Sequence, residues 1–582
     1  MHSEHADLLF CNGTVFDGYR FLPPGTAVRV RGSRIIALER PPASQDHSPG
    51  TGTTVVDLHG GTLLPGFIDA HVHPVYGGER MRRCDLGDGL SLAEYQDTIA
   101  AYLREHPGDG WITGGGWSME AFPGGVPTAA ELDRLVPDRP VFLPNRDGHG
   151  AWVNSAAMQL AGIDAATPDP ADGRIERDED GNPVGMLQEG AAALVSRLIP
   201  APTEADWDAA LLAGQAYLLA LGITGWQDAI VGRDHGADDT LPVYLRAVRD
   251  GRLRSRVVGA LWWERGRGLE QLPDLIERRR LATEGGGAGG NGTGDGRFRA
   301  VSVKMMLDGV AENHTAAMLE PYLDGHGCTT GVTGLDFIDP AELPRYVTEL
   351  DRAGFQVHFH ALGDRAVRNA LDAVEAARRS SGDSGLRHHL AHLQVVHPDD
   401  IPRFAQLRAT ANIQPLWATH EPQMDELTIP FLGDRRAAWQ YPFASLQAAG
   451  AELCAGSDWP VSSPNPLSGA HVAVNRTAPD GTVPTGTVPA GTVPTRNGSA
   501  SADPFLPEQR LALTTILAAY TSGSARINGL ESVTGAVRPG LDADFAVIDA
   551  DLRHIASHEI GSAAVVATWI RGELAAYQGQ PT

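Results

Sequence analysis

The stretch TLLPGFIDAHVH, residues 62–73, decides the fold prediction because it joins an apolar strand to two histidines at its end. Side chains alternate along a β-strand, so the imidazoles of His71 and His73 point to the same side. Two histidines placed in this way can bind one metal ion. For each of them alone, a structural histidine whose ring nitrogens are bonded inside the protein remains the alternative.

Downstream of this stretch, apolar segments of strand length alternate with amphipathic helices, for example helices over 340–353 and 364–379. Eight segments have the composition of buried strands: 66–70, 222–227, 256–261, 300–307, 354–360, 389–394, 410–414 and 451–455. The alternation predicts an α/β fold, a (β/α)8 TIM-like barrel. Active sites of such barrels assemble at the C-terminal ends of the strands, which is where His71 and His73 lie.

A long insertion is expected between the first and second barrel strands, at about 75–205. Segment 139–143 within it could be a ninth strand, and we assign it to the insertion. A segment of this size that leaves the C-terminal end of a barrel strand is expected to cover the mouth of the barrel.

Both ends of the chain have short alternating strands without helical periodicity. These segments are 7–10, 25–30, 34–38 and 53–58 at the start, and 543–549 and 563–571 at the end. They predict one small composite β-sandwich, built from 1–64 and 531–582, with the barrel over 65–530. Two low-complexity stretches, 285–296 and 478–502 (with GTVPT, GTVPA and GTVPT at 481–495), are expected to be surface loops.

Further histidines and one aspartate recur at the ends of later strands. His358-Phe-His360 repeats the HxH spacing, the next strand carries His388, His389 and His392, and Asp458 follows the last strand. Independent structural histidines have no reason to share one rim, so the recurrence favours a metal site. For Asp458 the alternative is a helix or turn cap.

Lys304 is the only lysine in the chain, since the other 46 of the 47 Lys and Arg residues are arginine. It lies in the apolar segment VSVKMML, where loss of hydration favours the neutral amine. A neutral amine can take up CO2 to become a carbamate, which is an anionic oxygen ligand able to bridge two metal ions. Arginine cannot do this because its guanidinium stays protonated. Two alternatives to a functional Lys304 remain. The residue is present by chance in a lysine-poor chain, or its side chain extends to the surface.

Charge and composition exclude several classes of protein. The chain has 582 residues and a net charge of −25, which gives no electrostatic reason to bind nucleic acid or an anionic membrane. No apolar run reaches the ~18–20 residues of a membrane span, and the N-terminus does not read as a signal peptide. Four cysteines without CxxC spacing argue against a disulfide scaffold and favour a cytoplasmic protein. A homo-oligomer stays open.

The residues His71, His73, Lys304, His360, His392 and Asp458 together resemble the metal site of the amidohydrolase superfamily. The segments LPGFIDAHVHP, DGHGAWVNSAAM, GITGWQDA, VKMMLDG, HFHALGDRAV and AGSDWPV are similar to amidohydrolase family 3, the group that includes N-substituted formamide deformylase. The resemblance runs from about residue 7 to 575 and includes the C-terminal segment GAVRPGLDADFAVID. The two low-complexity stretches depart from the family pattern but touch no motif position.

The resemblance implies one or two divalent metal ions, zinc first, with a binuclear site favoured. His71, His73 and Lys304 would hold one ion, and carboxylated Lys304, His360 and His392 would hold the second. A metal-activated hydroxide would attack a polarised carbonyl, and Asp458 would take the water proton and return it to the leaving amine. Asn145 and His149 are candidates for binding the substrate carbonyl, with ordinary loop hydrogen bonding as the alternative.

The implied reaction is hydrolysis of a non-peptide carbon–nitrogen bond in a small molecule, such as an N-substituted formamide. Cyclic amides, carbamates and esters stay open as substrates, as does a non-hydrolytic isomerase or regulatory protein on the same fold. Four aromatic residues near the motifs suggest either an apolar pocket or lid packing: Trp117, Phe122, Trp152 and Trp459.

Overall fold

The structure is a computed structural model that describes residues 7–39, 52–87, 89, 91–146, 148, 150–170, 173–232, 239–287, 296–312, 314–479 and 503–578. The low-complexity stretches fall mostly outside these residues, at 288–295 and 480–502. None of the described helices is long and apolar enough to cross a membrane. All four cysteines are described, and none forms a disulfide.

Eight parallel strands pair in chain order to form a nearly closed barrel, as predicted. The strands are β1 (Phe67–Val72), β2 (Ile223–Val231), β3 (Arg256–Trp262), β4 (Phe298–Met306), β5 (Gln356–Ala361), β6 (His389–His392), β7 (Thr410–Ile413) and β8 (Leu453–Ala455). Each overlaps its predicted segment. The largest buried cluster packs the barrel against its helices.

The main helices that connect or follow the barrel strands are Pro74–Met81, Glu204–Ala220, Leu241–Arg249, Leu272–Gly285, Leu343–Arg352, Asp364–Ser381, Ile401–Leu407, Pro422–Leu427, Ile429–Ala437, Phe443–Ala448, Pro466–Asn475, Leu513–Ala518 and Ser524–Ile527. The helix predicted over 340–353 is shorter in the structure, because Leu343–Arg352 begins beside Pro344 in its first turn.

Barrel strands β1 and β8 are joined by a seam of hydrogen bonds around Asp69. The Asp69 Oδ1 atom accepts from the backbone N–H groups of His71 and Ser457, each at 3.0 Å. In addition, the Asp458 N–H donates to the His71 carbonyl at 2.7 Å, and the His73 N–H donates to the Trp459 carbonyl at 2.8 Å. Gly456 allows this approach, since a Cβ there would lie 2.6 Å from the His71 nitrogen.

The insertion after β1 forms a six-stranded sheet of its own. In spatial order its strands are Gly173–Arg177, Pro183–Glu189, Gly150–Val153, Val141–Pro144, Ile112–Gly115 and Cys84–Asp85. The segment predicted at 139–143 is therefore a strand of the insertion and not of the barrel. The insertion's helices are Leu92–Glu105, Ala129–Asp133, Ser155–Ala161 and Ala193–Ser196.

Arg80 joins the insertion to the loop that follows β8. Its Nε donates to Asp85 in the insertion's first strand at 2.8 Å, and its Nη1 donates to the Pro460 carbonyl at 3.1 Å. Pro460 lies two residues beyond Asp458, so this contact places the edge of the insertion beside the C-terminal end of the barrel.

Strands from both termini form two sheets that pack together as the predicted sandwich. One sheet contains Arg34–Glu39, Ala27–Arg31, Asp7–Cys11 and Thr53–Asp57; the other contains Thr14–Val15, Thr62–Pro65, Phe545–Ile548, Val565–Ile570 and Glu573–Tyr577. Phe10 of the first sheet packs edge-to-face on Phe545 and Trp569 of the second. The sequence missed Thr14–Val15 and Glu573–Tyr577, and the domain boundaries at 64/65 and 530/531 stay predictions.

A buried ion network ties the C-terminal segment to the start of β3. The fully buried carboxylate of Asp542 contacts the Arg256 guanidinium, and it lies 2.9 Å from Arg34 Nη1. Arg256 is itself buried at the first residue of β3. Removing one partner of such a network leaves charge in a site that water does not reach.

We expect Asp542→Ala to destabilise the protein by about 3–5 kcal/mol, because the buried Arg256 loses its carboxylate. Urea unfolding followed by tryptophan fluorescence measures this. Glu277→Ala is the control, since Glu277 pairs with Arg280 where both side chains are about half exposed, and it should change stability by less than about 1 kcal/mol. Equal effects of the two substitutions would contradict the interpretation.

Candidate metal centre

Among the described residues, one group of His, Cys, Asp and Glu side chains could hold a metal ion. It consists of His71, His392 and Asp458, which are all buried and whose ligand atoms lie within 4.8 Å of one another. These residues come from β1, from the end of β6 and from the loop after β8. The barrel therefore brings together side chains that are up to 387 positions apart in sequence.

Asp458 faces both histidines of β1. Its Oδ1 atom lies 3.2 Å from His71 Nε2 and 3.0 Å from His73 Nε2. The seam between β1 and β8 sets this position, since the Asp458 N–H donates to the His71 carbonyl. Asp458 also has a left-handed backbone with φ of 59°, which non-glycine residues seldom adopt. Such conformations cluster at functional sites.

His392 has an imidazole that bonds to nothing in the described structure. Both of its ring nitrogens are buried and lack a hydrogen-bond partner. Its backbone N–H donates to Gln414 Oε1 at 2.7 Å, and its ring stacks on Trp417. Buried polar atoms are nearly always bonded, so an imidazole held this firmly with both nitrogens unused has the donor chemistry of a metal ligand.

The other two predicted ligands, Lys304 and His360, border the same group. Lys304 is buried on β4, and its Nζ lies 3.3 Å from His71 Nε2. The His360 ring at the end of β5 lies 4.5 Å from the His392 ring, centre to centre. All six residues that the sequence singled out thus lie close together near the C-terminal ends of the strands. Their roles as ligands stay a prediction.

Burial keeps His71 and His392 neutral. It lowers the pKa of His71 and His392 well below the usual range, and the nearby Lys304 amine lowers both further. Burial alone would raise the pKa of Asp458, but the adjacent imidazoles of His71 and His73 outweigh burial and hold this pKa well below normal. Neutral imidazoles beside a carboxylate are the protonation states that a divalent cation requires.

Asp308 supports the site, and the sequence analysis did not assign it a role. Its fully buried carboxylate accepts hydrogen bonds from the backbone N–H groups of Ala317, Leu362 and Gly363. Its Oδ1 lies 3.4 Å from His360 Nδ1. Asp308 thereby fixes the end of β5 behind His360. Asp308 lies two residues past β4 in the segment VKMMLDG. This position at the C-terminal end of a barrel strand is the sequence signal that could have identified it.

Two more buried carboxyls lie on β1 and on the neighbouring strand β2. Burial raises the pKa of Asp69 to about 7, although hydrogen bonds from Ser457 and His71 oppose the shift. Burial also raises the pKa of Asp228 on β2 to about 6, against the attraction of His73 and a hydrogen bond from Tyr244. Carboxyls with raised pKa values beside a cluster of histidines are typical of functional sites.

Asn145, one of the two predicted substrate-binding residues, bonds within its own loop. Asn145 is buried, and its Oδ1 accepts from the Gly150 N–H at 3.0 Å, which is the loop hydrogen bonding named as the alternative. His149 lies outside the described residues. Substrate binding by either residue stays a prediction.

The aromatic residues near the motifs pack in the protein interior. Trp117, Phe122 and Trp152 make edge-to-face contacts within the core of the insertion. Trp459 is fully buried against Tyr217. The four aromatic residues therefore pack in the interior, which was one of the two interpretations from the sequence. The other interpretation, that they line an apolar pocket, gains no support.

Known proteins resemble this chain over nearly its whole length. It is 31% identical to Protein LONG AFTER FAR-RED 3 of Arabidopsis thaliana over 98% of this chain and 91% of that protein. It is 27% identical to N-substituted formamide deformylase of Arthrobacter pascens, over 94% of each chain. The fold matches the crystal structure of an uncharacterized metal-dependent hydrolase from Pyrococcus horikoshii OT3 with a TM-score of 0.69, at 23% identity over 95% of this chain and 99% of that one.

The sequence model of the amidohydrolase family matches residues 54–576, a range that contains the whole barrel and every residue of the candidate metal centre. The recognition made from the motifs is confirmed by this match. The chain belongs to the amidohydrolase family.

Proposed function

We propose that the protein is a metal-dependent hydrolase that cleaves a carbon–nitrogen bond of a small molecule, with an N-substituted formamide as the first candidate substrate. The observation that carries the proposal is the buried, unbonded imidazole of His392 facing His71 and Asp458. The likeness to N-substituted formamide deformylase supports the substrate class. No predicted ligand is missing from the chain, which argues against a purely regulatory protein.

The residues of the candidate centre fit a zinc ion, or two. His71, His392 and Asp458 would hold one ion, and Lys304 as a carbamate would hold a second ion with His360. This division differs from the one that the resemblance implies, which pairs His71 with His73, because the ligand atoms of His71, His392 and Asp458 lie within 4.8 Å of one another. A bound zinc ion would lower the pKa of its water toward ~7 and polarise the substrate carbonyl. Carboxylation of Lys304 would also place an anionic oxygen ligand beside the histidines, which favours divalent cations.

Asp458 is the residue that we propose moves the proton. As an anion it can accept a proton from water while a carbon–oxygen bond forms at the carbonyl carbon. It then donates that proton to the amide nitrogen as the carbon–nitrogen bond breaks. The products are a carboxylate and an amine. His73, whose Nε2 lies 3.0 Å from Asp458 Oδ1, keeps this carboxylate oriented toward the reacting atoms.

We predict that Lys304→Arg abolishes activity and lowers the zinc content, because guanidinium cannot form a carbamate. Lys304→Ala should regain part of its activity when a short-chain carboxylate supplies the missing oxygen ligand. Activity assays with metal analysis on the same samples measure both effects. Full activity in Lys304→Arg would refute the carbamate.

We predict that Asp458→Asn lowers kcat by about 10²–10⁴-fold, since the amide keeps the shape but cannot accept the proton. Asp364→Asn is the matched control. Asp364 is an equally buried carboxyl, but it accepts from the Leu319 N–H at the start of the helix that follows β5 and makes no hydrogen bond to a candidate ligand among the described contacts. It should keep a kcat near that of the wild type. Equal losses in both variants would indicate a general effect of removing a buried charge.

A substrate screen separates hydrolysis from other reactions on this fold. Formamides, N-acyl amino acids, cyclic amides, carbamates and esters are incubated with zinc-loaded protein, and amine and carboxylate release are quantified. We expect equimolar amine and carboxylate from at least one amide, and no release after zinc is removed by a chelator. Conversion to an isomer without release would contradict the proposed reaction.

A further inference from the structure

A second layer of polar side chains lies inside the barrel beneath the candidate metal centre. It contains Gln227 on β2, Ser302 on β4, His358 on β5 and His389 on β6, and all four are fully buried. Interiors of such barrels are usually filled by branched apolar side chains. Burying polar groups costs free energy unless they are bonded, so this layer requires a reason.

Contacts connect this layer directly to the candidate ligand His71. His358 Nε2 lies 2.9 Å from His71 Nδ1, which is the ring nitrogen that does not face Asp458. The His358 ring packs on the His389 ring, with 4.2 Å between their centres. His71 is therefore held through its far nitrogen by a neighbour that is itself enclosed.

His389 is fixed at both of its ring nitrogens. Its Nε2 lies 2.8 Å from Gln227 Oε1, and Gln227 Nε2 donates to Ser302 Oγ at 3.1 Å. Its Nδ1 lies 3.3 Å from Gln356 Nε2, which also donates to the Ile527 carbonyl at 3.0 Å. The layer thus spans β2, β4, β5 and β6 and ends at backbone, so it gives His358 a rigid support.

The proton between His71 and His358 decides what His71 can bind. A neutral imidazole carries one N–H and one lone pair. If the N–H is on Nδ1 and donates to His358 Nε2, the lone pair on His71 Nε2 faces Asp458 and Lys304, where a metal ion would be held. A ligand histidine is commonly fixed by such an acceptor at its second nitrogen.

We propose that His358 is a positioning residue for His71: it accepts the Nδ1–H of His71 and thereby turns the Nε2 lone pair of His71 toward the metal ion. This inference rests on the proposed metal-dependent function. The proposal gives the two histidines of the HFH motif different roles. His360 lies in the candidate metal centre beside His392, whereas His358 lies beneath it and contacts His71.

Zinc affinity, measured by competition with a chromogenic chelator, tests the proposal. We expect His358→Phe to weaken zinc binding about 10–100-fold, as is typical for loss of a ligand's hydrogen-bond partner. His358→Gln should recover most of that loss, because its carbonyl oxygen can accept the proton. The matched control is His388→Phe, since His388 is equally buried on the neighbouring segment but bonds to Asp351 instead of a candidate ligand. That control should lose thermal stability and keep the wild-type zinc affinity.

The outcomes distinguish this inference from the function on which it rests. Wild-type zinc affinity in folded His358→Phe would overturn the positioning role alone. Absence of zinc binding by the wild-type protein would overturn the proposed function and this inference together.

Should His358→Phe fail to fold, the tautomer can be read in the wild-type protein. In zinc-loaded protein with 15N-labelled histidine, with His358→Gln used to assign the signal, we expect His358 to carry its proton on Nδ1 and to have an unprotonated Nε2. A proton on His358 Nε2 would mean that His358 donates to His71, which contradicts the proposal.

Discussion

The seam between the first and last barrel strands is the constraint on which the site depends. Asp69 accepts the N–H groups of His71 and Ser457 with one carboxylate oxygen, and it does so because Gly456 lets the two backbones meet. The same seam orients His71 from one side and Asp458 from the other. A barrel that failed to close here would still bury most of its apolar surface, but it would separate the aspartate from the histidines that it faces.

The polar side chains inside the barrel form two groups of different chemistry, one above the other. The candidate metal centre holds histidines, one lysine and one carboxylate; the layer below holds His358, which contacts His71, and His389 with the amides that bond it. Arginine side chains make the ionic contacts between separate parts of the chain, and Arg80 and Arg256 are examples. The single lysine lies instead inside the barrel, where the amine stands 3.3 Å from His71. The proposed carbamate would explain why a chain with 46 arginines has one lysine here, since arginine cannot form a carbamate.

The sequence predicted the barrel because strand period, helix period and the positions of the histidines agreed. It also indicated side chains that the structure brings close together, since HxH at a strand end and Asp458 after the last strand are local signals. The sequence could not show how far along the barrel axis each side chain lies relative to side chains on the other strands. His358 and His360 share one face of β5, and only the packing of neighbouring strands shows that His360 lies beside His392 while His358 contacts the far nitrogen of His71. The roles of Asp69 and Asp308 depend on backbone groups far away in sequence, which no local pattern contains.

We propose that the seam between β1 and β8 builds a metal site from His71, His392 and Asp458. The most direct test is anomalous diffraction at the zinc absorption edge from crystals of the zinc-loaded protein. We predict an anomalous peak at coordination distance, about 2.0–2.2 Å, from His71, His392 and Asp458. Full-occupancy zinc elsewhere, with no peak between these three side chains, would contradict the account.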